Sequence, residues 1–269
     1  MAVTKEQKSL YNEKIKPYKN SLDDIKKEMS MFRAVGKKNS HLEPYVQFRV
    51  AVLTLQSSNT LILMSRLSQE VQNLKNDSFL NDARKDISSK LNDLLKIVGE
   101  DVDGSLTENR DKLKGIEMAT PGQRLRLLQG FKEAIEGVKK ALGDNSKWRW
   151  SFPDMHFKLA ILAKNMIDFK EFSAAKDPNE EHYRPRQELV RFMMEESQYA
   201  AQEFRSKFEL STKDVSDLEV IRKIFEMLKK VYMVTGNRTE LDKLATSYDA
   251  IKEKIDTLMA EKQGKKKKT

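Results

Sequence analysis

Residues 218–258 read LEVIRKIFEMLKKVYMVTGNRTELDKLATSYDAIKEKIDTL, and their spacing decides the fold class. Leu218, Ile221, Phe225, Leu228 and Tyr232 recur at alternating intervals of three and four, as do Leu241, Leu244, Tyr248, Ile251, Ile255 and Leu258. Residues so spaced share one face of an α-helix. Between the two stripes stands Thr235-Gly236-Asn237-Arg238-Thr239, a glycine stop followed by a new start signal. The stretch predicts an antiparallel helical hairpin with roughly three heptads per arm, a short coiled-coil pairing.

The same period runs upstream. Met155, Leu159, Leu162, Met166 and Phe169 form one stripe, and Leu125, Leu128, Ile135, Val138 and Leu142 another, with a gap at Lys132. Shorter stripes pass through Ile87, Leu91, Leu94 and Val98, and through Leu189, Phe192 and Tyr199. Helix starts are marked by a capping side chain answered three residues later by an acid or amide. The pattern occurs at Thr4…Gln7, Ser21…Asp24, Ser40…Glu43, Ser105…Glu108, Ser151…Asp154, Ser211…Asp214 and Thr239…Asp242. Thr120-Pro121 and Asp177-Pro178 add starts with proline in the first turn. Pro17 is expected to kink or divide the first helix. No stretch alternates apolar and polar residues, so no strand is predicted. The expected fold is all-α, a multi-helix bundle of long antiparallel helices with short linkers and a basic, disordered C-terminal tail.

One helix, about residues 45–74, has two apolar faces. Val46, Val50, Leu53, Leu61 and Met64 lie on the first, and Phe48, Val52, Leu55 and Ile62 on the second. A helix apolar over so much of its girth is surrounded by others, which makes it the predicted centre of its bundle. Residues 143–147 are the candidate boundary between an N-terminal half, 1–143, and a C-terminal half, 147–262, followed by the tail, 263–269. Whether the halves share a core stays open at this level. No internal repeat is visible.

Composition narrows the function classes. The chain has 269 residues, a net charge of +9 and no cysteine, which excludes disulfide and thiolate chemistry. The excess charge sits at the ends, with ten Lys/Arg against five Asp/Glu in residues 1–40 and five lysines without an acid in residues 262–269. No secretion signal or bilayer-length apolar run is apparent, and a cytoplasmic location is expected. The last lysines, Lys262, Lys265, Lys266, Lys267 and Lys268, are candidates for a weak, sequence-independent polyanion contact.

Three local signals favour structural readings. Asp101-Val102-Asp103-Gly104-Ser105-Leu106-Thr107 resembles the start of a calcium loop, but Leu106 stands where glycine belongs and Lys112 where the bidentate acid belongs. His41, His156 and His182 fit no ligand spacing, so no metal and no cofactor is expected. Paired acids such as Glu195-Glu196 and Asp168…Glu171 read as solvated helix faces. No nucleophile motif or phosphate loop is present, and catalytic residues are not assigned.

Two segments carry functional weight. Lys147-Trp148-Arg149-Trp150 holds both tryptophans beside two cations. Trp148, Arg149 and Trp150, together with Arg184 and Arg186, are candidate partner contacts; the competing reading is an aromatic corner folded over the core. Gln56-Ser57-Ser58-Asn59-Thr60 is a polar notch in the most apolar helix, where a buried unsatisfied group costs about 1–3 kcal/mol. It either specifies register or lines a pocket. The sequence therefore points to a non-enzymatic scaffold or adaptor binding another protein, or a second copy of itself, through helix faces. A nucleic-acid-associated protein using its basic ends is the first alternative. An accessory enzyme with a pocket at the notch is the second.

Overall fold

A computed structural model describes residues 3–107 and 110–266. Among these residues there is no strand, and ten α-helices follow in order: α1 (Lys5–Lys38), α2 (Glu43–Gln72), α3 (Asp77–Val98), α4 (Arg110–Lys114), α5 (Pro121–Leu142), α6 (Phe152–Asn165), α7 (Phe169–Ala174), α8 (Tyr183–Lys207), α9 (Val215–Thr235) and α10 (Arg238–Lys266). The all-α bundle read from the periods is the fold. No described helix is long and apolar enough to cross a membrane.

α1 is one uninterrupted helix through Pro17 and Ser21, so neither the predicted division nor the predicted start at Ser21 occurs. Its buried residues, Ile15, Leu22, Met29 and Gly36, recur every seventh position and press a single seam onto α2. Glu43 of α2 packs closely over Gly36, where a Cβ would meet its carboxylate. Full capping boxes form at Thr4–Gln7 and Thr120–Gln123. Elsewhere the starts shift. Ser40 and Ser151 fall in short 3-10 turns and make no side-chain cap. α9 is capped by Asp214, after a π-helical turn over Phe208–Thr212, instead of by Ser211. α8 starts at Tyr183, not at Pro178. Glu108, half of another predicted cap, lies outside the described residues.

α2 packs against α1, α3 and α5, the central position its two apolar faces imply. Its first face fills the seam under α1 and α3 through Val46, Val50, Leu53 and Met64. One large buried cluster takes Ile87, Leu91, Leu128 and Phe131 from before the 143–147 linker and Leu159, Met193, Ile224 and Leu228 from after it. α9 and α10 form the predicted hairpin, turning at Gly236 with φ +70°. Leu218, Ile221, Phe225, Leu228 and Tyr232 are buried on one arm, and Leu244, Ile251 and Ile255 on the other.

Buried Arg124 ties the centre together: its guanidinium donates to the carbonyls of Ala119 (2.7 Å), Met166 (3.0 Å) and Ile116 (3.1 Å). Carbonyls at chain turns have no helical donor, and one guanidinium satisfies three of them.

Candidate functional site

The second face of α2 is where the bundle is left open. Tyr45, Phe48, Val52, Leu55, Asn59, Ile62, Arg66 and Gln69 form an unbroken stripe at three-four spacing, and all of them line two adjoining clefts between α2 and α5. The α5 wall follows the same period with Gln123, Arg126, Gly130, Glu133, Gly137 and Lys140. Leu55 belongs to both clefts, which makes them one groove. Gly130 faces Leu55 and Gly137 faces Ile62, so both helices run in the same direction along it. From Tyr45 to Gln69 the groove extends roughly 36 Å at the rise of an α-helix.

Its two ends differ in chemistry. The first, about 710 Å³, is walled by Tyr45, Phe48, Val52, Leu55, Met118 and Leu127; Met118 is 75% exposed and Val52 37%. The second, about 690 Å³, is the more polar of the two, with Gln56, Asn59, Arg66, Gln69, Lys75 and Lys140 against the single acid Glu133. The notch at 56–60 is thus split between solvent and core: Gln56 and Asn59 are exposed in the groove, while Ser57 and Ser58 are buried. Small residues on α5 let the floor close. A Cβ on Gly130 would come within 2.9 Å of the Leu55 Cδ1.

The opposite side of α5 carries a buried polar cluster that sequence reading missed. His156 of α6 is 0% exposed; its Nδ1 lies 2.5 Å from Glu196 Oε1 of α8, and its Nε2 lies 3.0 Å from Glu136 Oε1 of α5. Glu196, also 0% exposed, faces the Lys132 ammonium at 3.2 Å. The Tyr199 hydroxyl donates to Glu136 (3.1 Å) and accepts from Lys139 (2.8 Å), which also holds Glu203 (2.9 Å). The Tyr199 ring meets the imidazole edge-on at 4.6 Å.

The electrostatics follow from this geometry. Burial pushes the His156 pKa down, but its contacts with Glu136 and Glu196 outweigh burial and hold it above the ordinary value. Glu136 is held below the usual carboxylate range, chiefly by His156. A neutral imidazole donates from one nitrogen, whereas the imidazolium donates from both, and both nitrogens face carboxylates here. With the imidazole fully buried and its partners drawn from three helices, the cluster acts as a polar bolt between α5, α6 and α8. Glu196 is therefore not on a solvated face, as its pairing with Glu195 had implied.

The segment resembling a calcium loop is held by lysines. Buried Lys164 places its ammonium 2.6 Å from Asp101 Oδ2, Asn165 donates to the Gly99 carbonyl at 2.6 Å, and Lys230 donates to the carbonyls of Asp103 and Gly104. Among the described residues no cluster of His, Cys, Asp and Glu is arranged to hold a metal ion.

The other predicted contacts lie away from the groove lining. Trp148 and Trp150 are half-buried, each under its neighbouring cation, Lys147 and Arg149, at 4.6 Å. Arg186 is tied to Glu171 (2.5 Å) and Glu180 (3.3 Å), while Arg184 is exposed. Lys262 is exposed near the end of α10, whose last turn contains Lys265 and Lys266. Lys267 and Lys268 lie outside the described residues.

No curated protein and no solved structure matches the chain. A family model does match, over residues 7–259, from the first turn of α1 into the C-terminal part of α10, and on that span the chain belongs to the TP0443 family.

Proposed function

We propose that this protein is a non-enzymatic helical scaffold or adaptor, and that it binds another protein by seating a helix in the α2–α5 groove. The observation that carries the reading is the pair of matched stripes. Two parallel helices present three-four repeats to the same empty space, which is the geometry that buries a third helix. The apolar end has what such a contact needs: aromatic anchors at Tyr45 and Phe48, with Val52 and Met118 exposed beside them. The basic C-terminus would add a weak, salt-dependent polyanion contact without sequence preference.

A photo-crosslinking experiment tests this. A benzophenone amino acid is placed at position 52 of the full chain, or at position 252 on the exposed side of α10 as a control, and illuminated in native lysate. Position 52 should give adducts concentrated in one or a few proteins, lost when Phe48 is replaced by aspartate. Adducts at 52 that match those at 252 in number and identity would overturn the reading.

A further inference from the structure

The two ends of the groove make different demands on whatever fills it. At the apolar end the lining offers carbon, with Arg126 beside it. At the polar end it offers mainly positive charge, with Glu133 the one acid among the lining residues. Arg66, Arg126 and Lys140 are exposed and have no acidic partner among the described residues. Lys75 is satisfied internally, by Asp77 at 3.5 Å and by the Leu142 carbonyl at the end of α5.

The ends of α2 and α5 reach the same side of the molecule, and each helix C-terminus carries about half a negative charge. Together they offset roughly one cation. Glu133 offsets another. Arg66, Lys140 and Arg126 outnumber these by about one, so the groove keeps a positive excess.

Resting on the helix-in-groove reading, we infer that the occupant is an amphipathic helix whose apolar stripe is followed by a cluster of carboxylates, the stripe lying along Tyr45–Leu55 and the carboxylates between Arg66 and Lys140. An uncharged apolar helix would leave these cations facing low-dielectric surface, and a basic one would be repelled by them. The contact is exposed, so its charge contribution is modest and salt-sensitive.

The test uses the full chain and three designed helical peptides of about 24 residues, the length that spans the groove. All share one Leu/Phe stripe. The first carries glutamates on the same face in its other half, the second carries lysines there, and the third carries its glutamates on the outward face. Fluorescence anisotropy should rank the first about 3- to 10-fold tighter than the second, as expected for a few exposed, solvent-screened ion pairs. The advantage should shrink in high salt. The double variant Arg66→Glu, Lys140→Glu should reverse the ranking, and Val52→Asp should weaken all three; these side chains are exposed, so the fold survives each change.

Equal binding of the first two peptides, with Val52→Asp still weakening both, would overturn the acidic occupant and leave the groove reading standing. Binding indifferent to Val52→Asp, or none at millimolar peptide, would overturn the groove reading itself. A dimer of the chain that Val52→Asp turns into monomers would make a second copy the occupant and overturn the inference.

Discussion

The imidazole of His156 sits between the carboxylates of Glu136 and Glu196, 3.0 Å from one and 2.5 Å from the other, with no exposed surface of its own. This places a titratable cation at the junction of three helices, and stability should follow its charge. A histidine whose folded pKa lies above its unfolded value of about 6.5 contributes stability that is fully present below that unfolded value. The contribution is lost as pH rises through the folded value. The melting temperature should therefore fall on the alkaline side of pH 6.5, and His156→Leu should abolish that slope. The same change should cost on the order of 3 kcal/mol, the lower part of the range for stranding a buried charge, because Lys132 still faces Glu196. Thermal melts of both proteins across roughly pH 5.5–9, the range around the histidine window, check the slope, and urea titrations check the cost of the substitution. A wild-type melting temperature that is flat across that range would show the imidazole to be neutral.

In the terminal hairpin, Leu228 is fully buried and shared between α9 and the main core, whereas Ile251 touches the bundle from α10. Leu228→Ala should cost about 2–5 kcal/mol and Ile251→Ala an amount near the bottom of that range. Aspartate at either position should cost more. Equilibrium denaturation gives the ranking, and equal costs would mean that α10 is as deeply keyed as α9.

Glycine substitutions should split in sign. Gly137 is inside α5, and a Cβ there would stand at 3.4 Å from the Ile62 Cδ1, so Gly137→Ala should stabilise the protein by about 0.5–1 kcal/mol. Gly236 has open space but a φ of +70°, and Gly236→Ala should destabilise by about 1 kcal/mol. Differential scanning calorimetry would read the two shifts in opposite directions.

The loop that begins at Asp101 should be indifferent to calcium. Its carboxylate and carbonyl oxygens are engaged by Lys164 and Lys230, and millimolar calcium or excess chelator should leave the melting temperature unchanged. Lys164→Met, which removes the cation and keeps the volume, should loosen the loop and raise the hydrogen-exchange rate of Gly104, whose amide donates to Asp101. A calcium-induced rise in melting temperature would show that the lysines yield to a metal.

Much of this architecture is legible from local spacing because helices of this length repeat their burial pattern many times. Gly236, the hairpin stripes and the two faces of α2 are read directly from period and punctuation. Serine caps are less informative: Ser40, Ser151 and Ser211 have the right neighbours, but turns of 3-10 or π geometry take over the backbone at those points. The His156 cluster is hidden for a different reason. Glu136, His156 and Glu196 come from three helices, and no fixed sequence interval connects them. Its traces are interruptions of stripes. Glu196 occupies a step of the buried series Leu189, Met193, Glu196, Ala200, and an acid on an apolar step signals a buried partner better than does an acid beside another acid. The gap at Lys132 is the matching trace: Phe131 fills the core in its place, and the lysine turns to Glu196. The groove was half visible, since the second apolar face of α2 is plain in sequence, but only the fold shows that α5 covers it incompletely.

α10, like α1 at the other end of the chain, is fastened mainly through one neighbour, and it buries fewer residues than the helices at the centre. It packs substantially on α9 alone, inserts Leu244, Ile251 and Ile255, and stands off α8 across a gap of about 210 Å³ lined by Gln198, Gln202 and Lys243. A helix fastened along one edge opens as its own cooperative unit, at a free energy below that of global unfolding. Limited proteolysis under native conditions should accordingly clip between Thr235 and Thr239 or within α10 long before it reaches α2, leaving α1 to α9 as a resistant core.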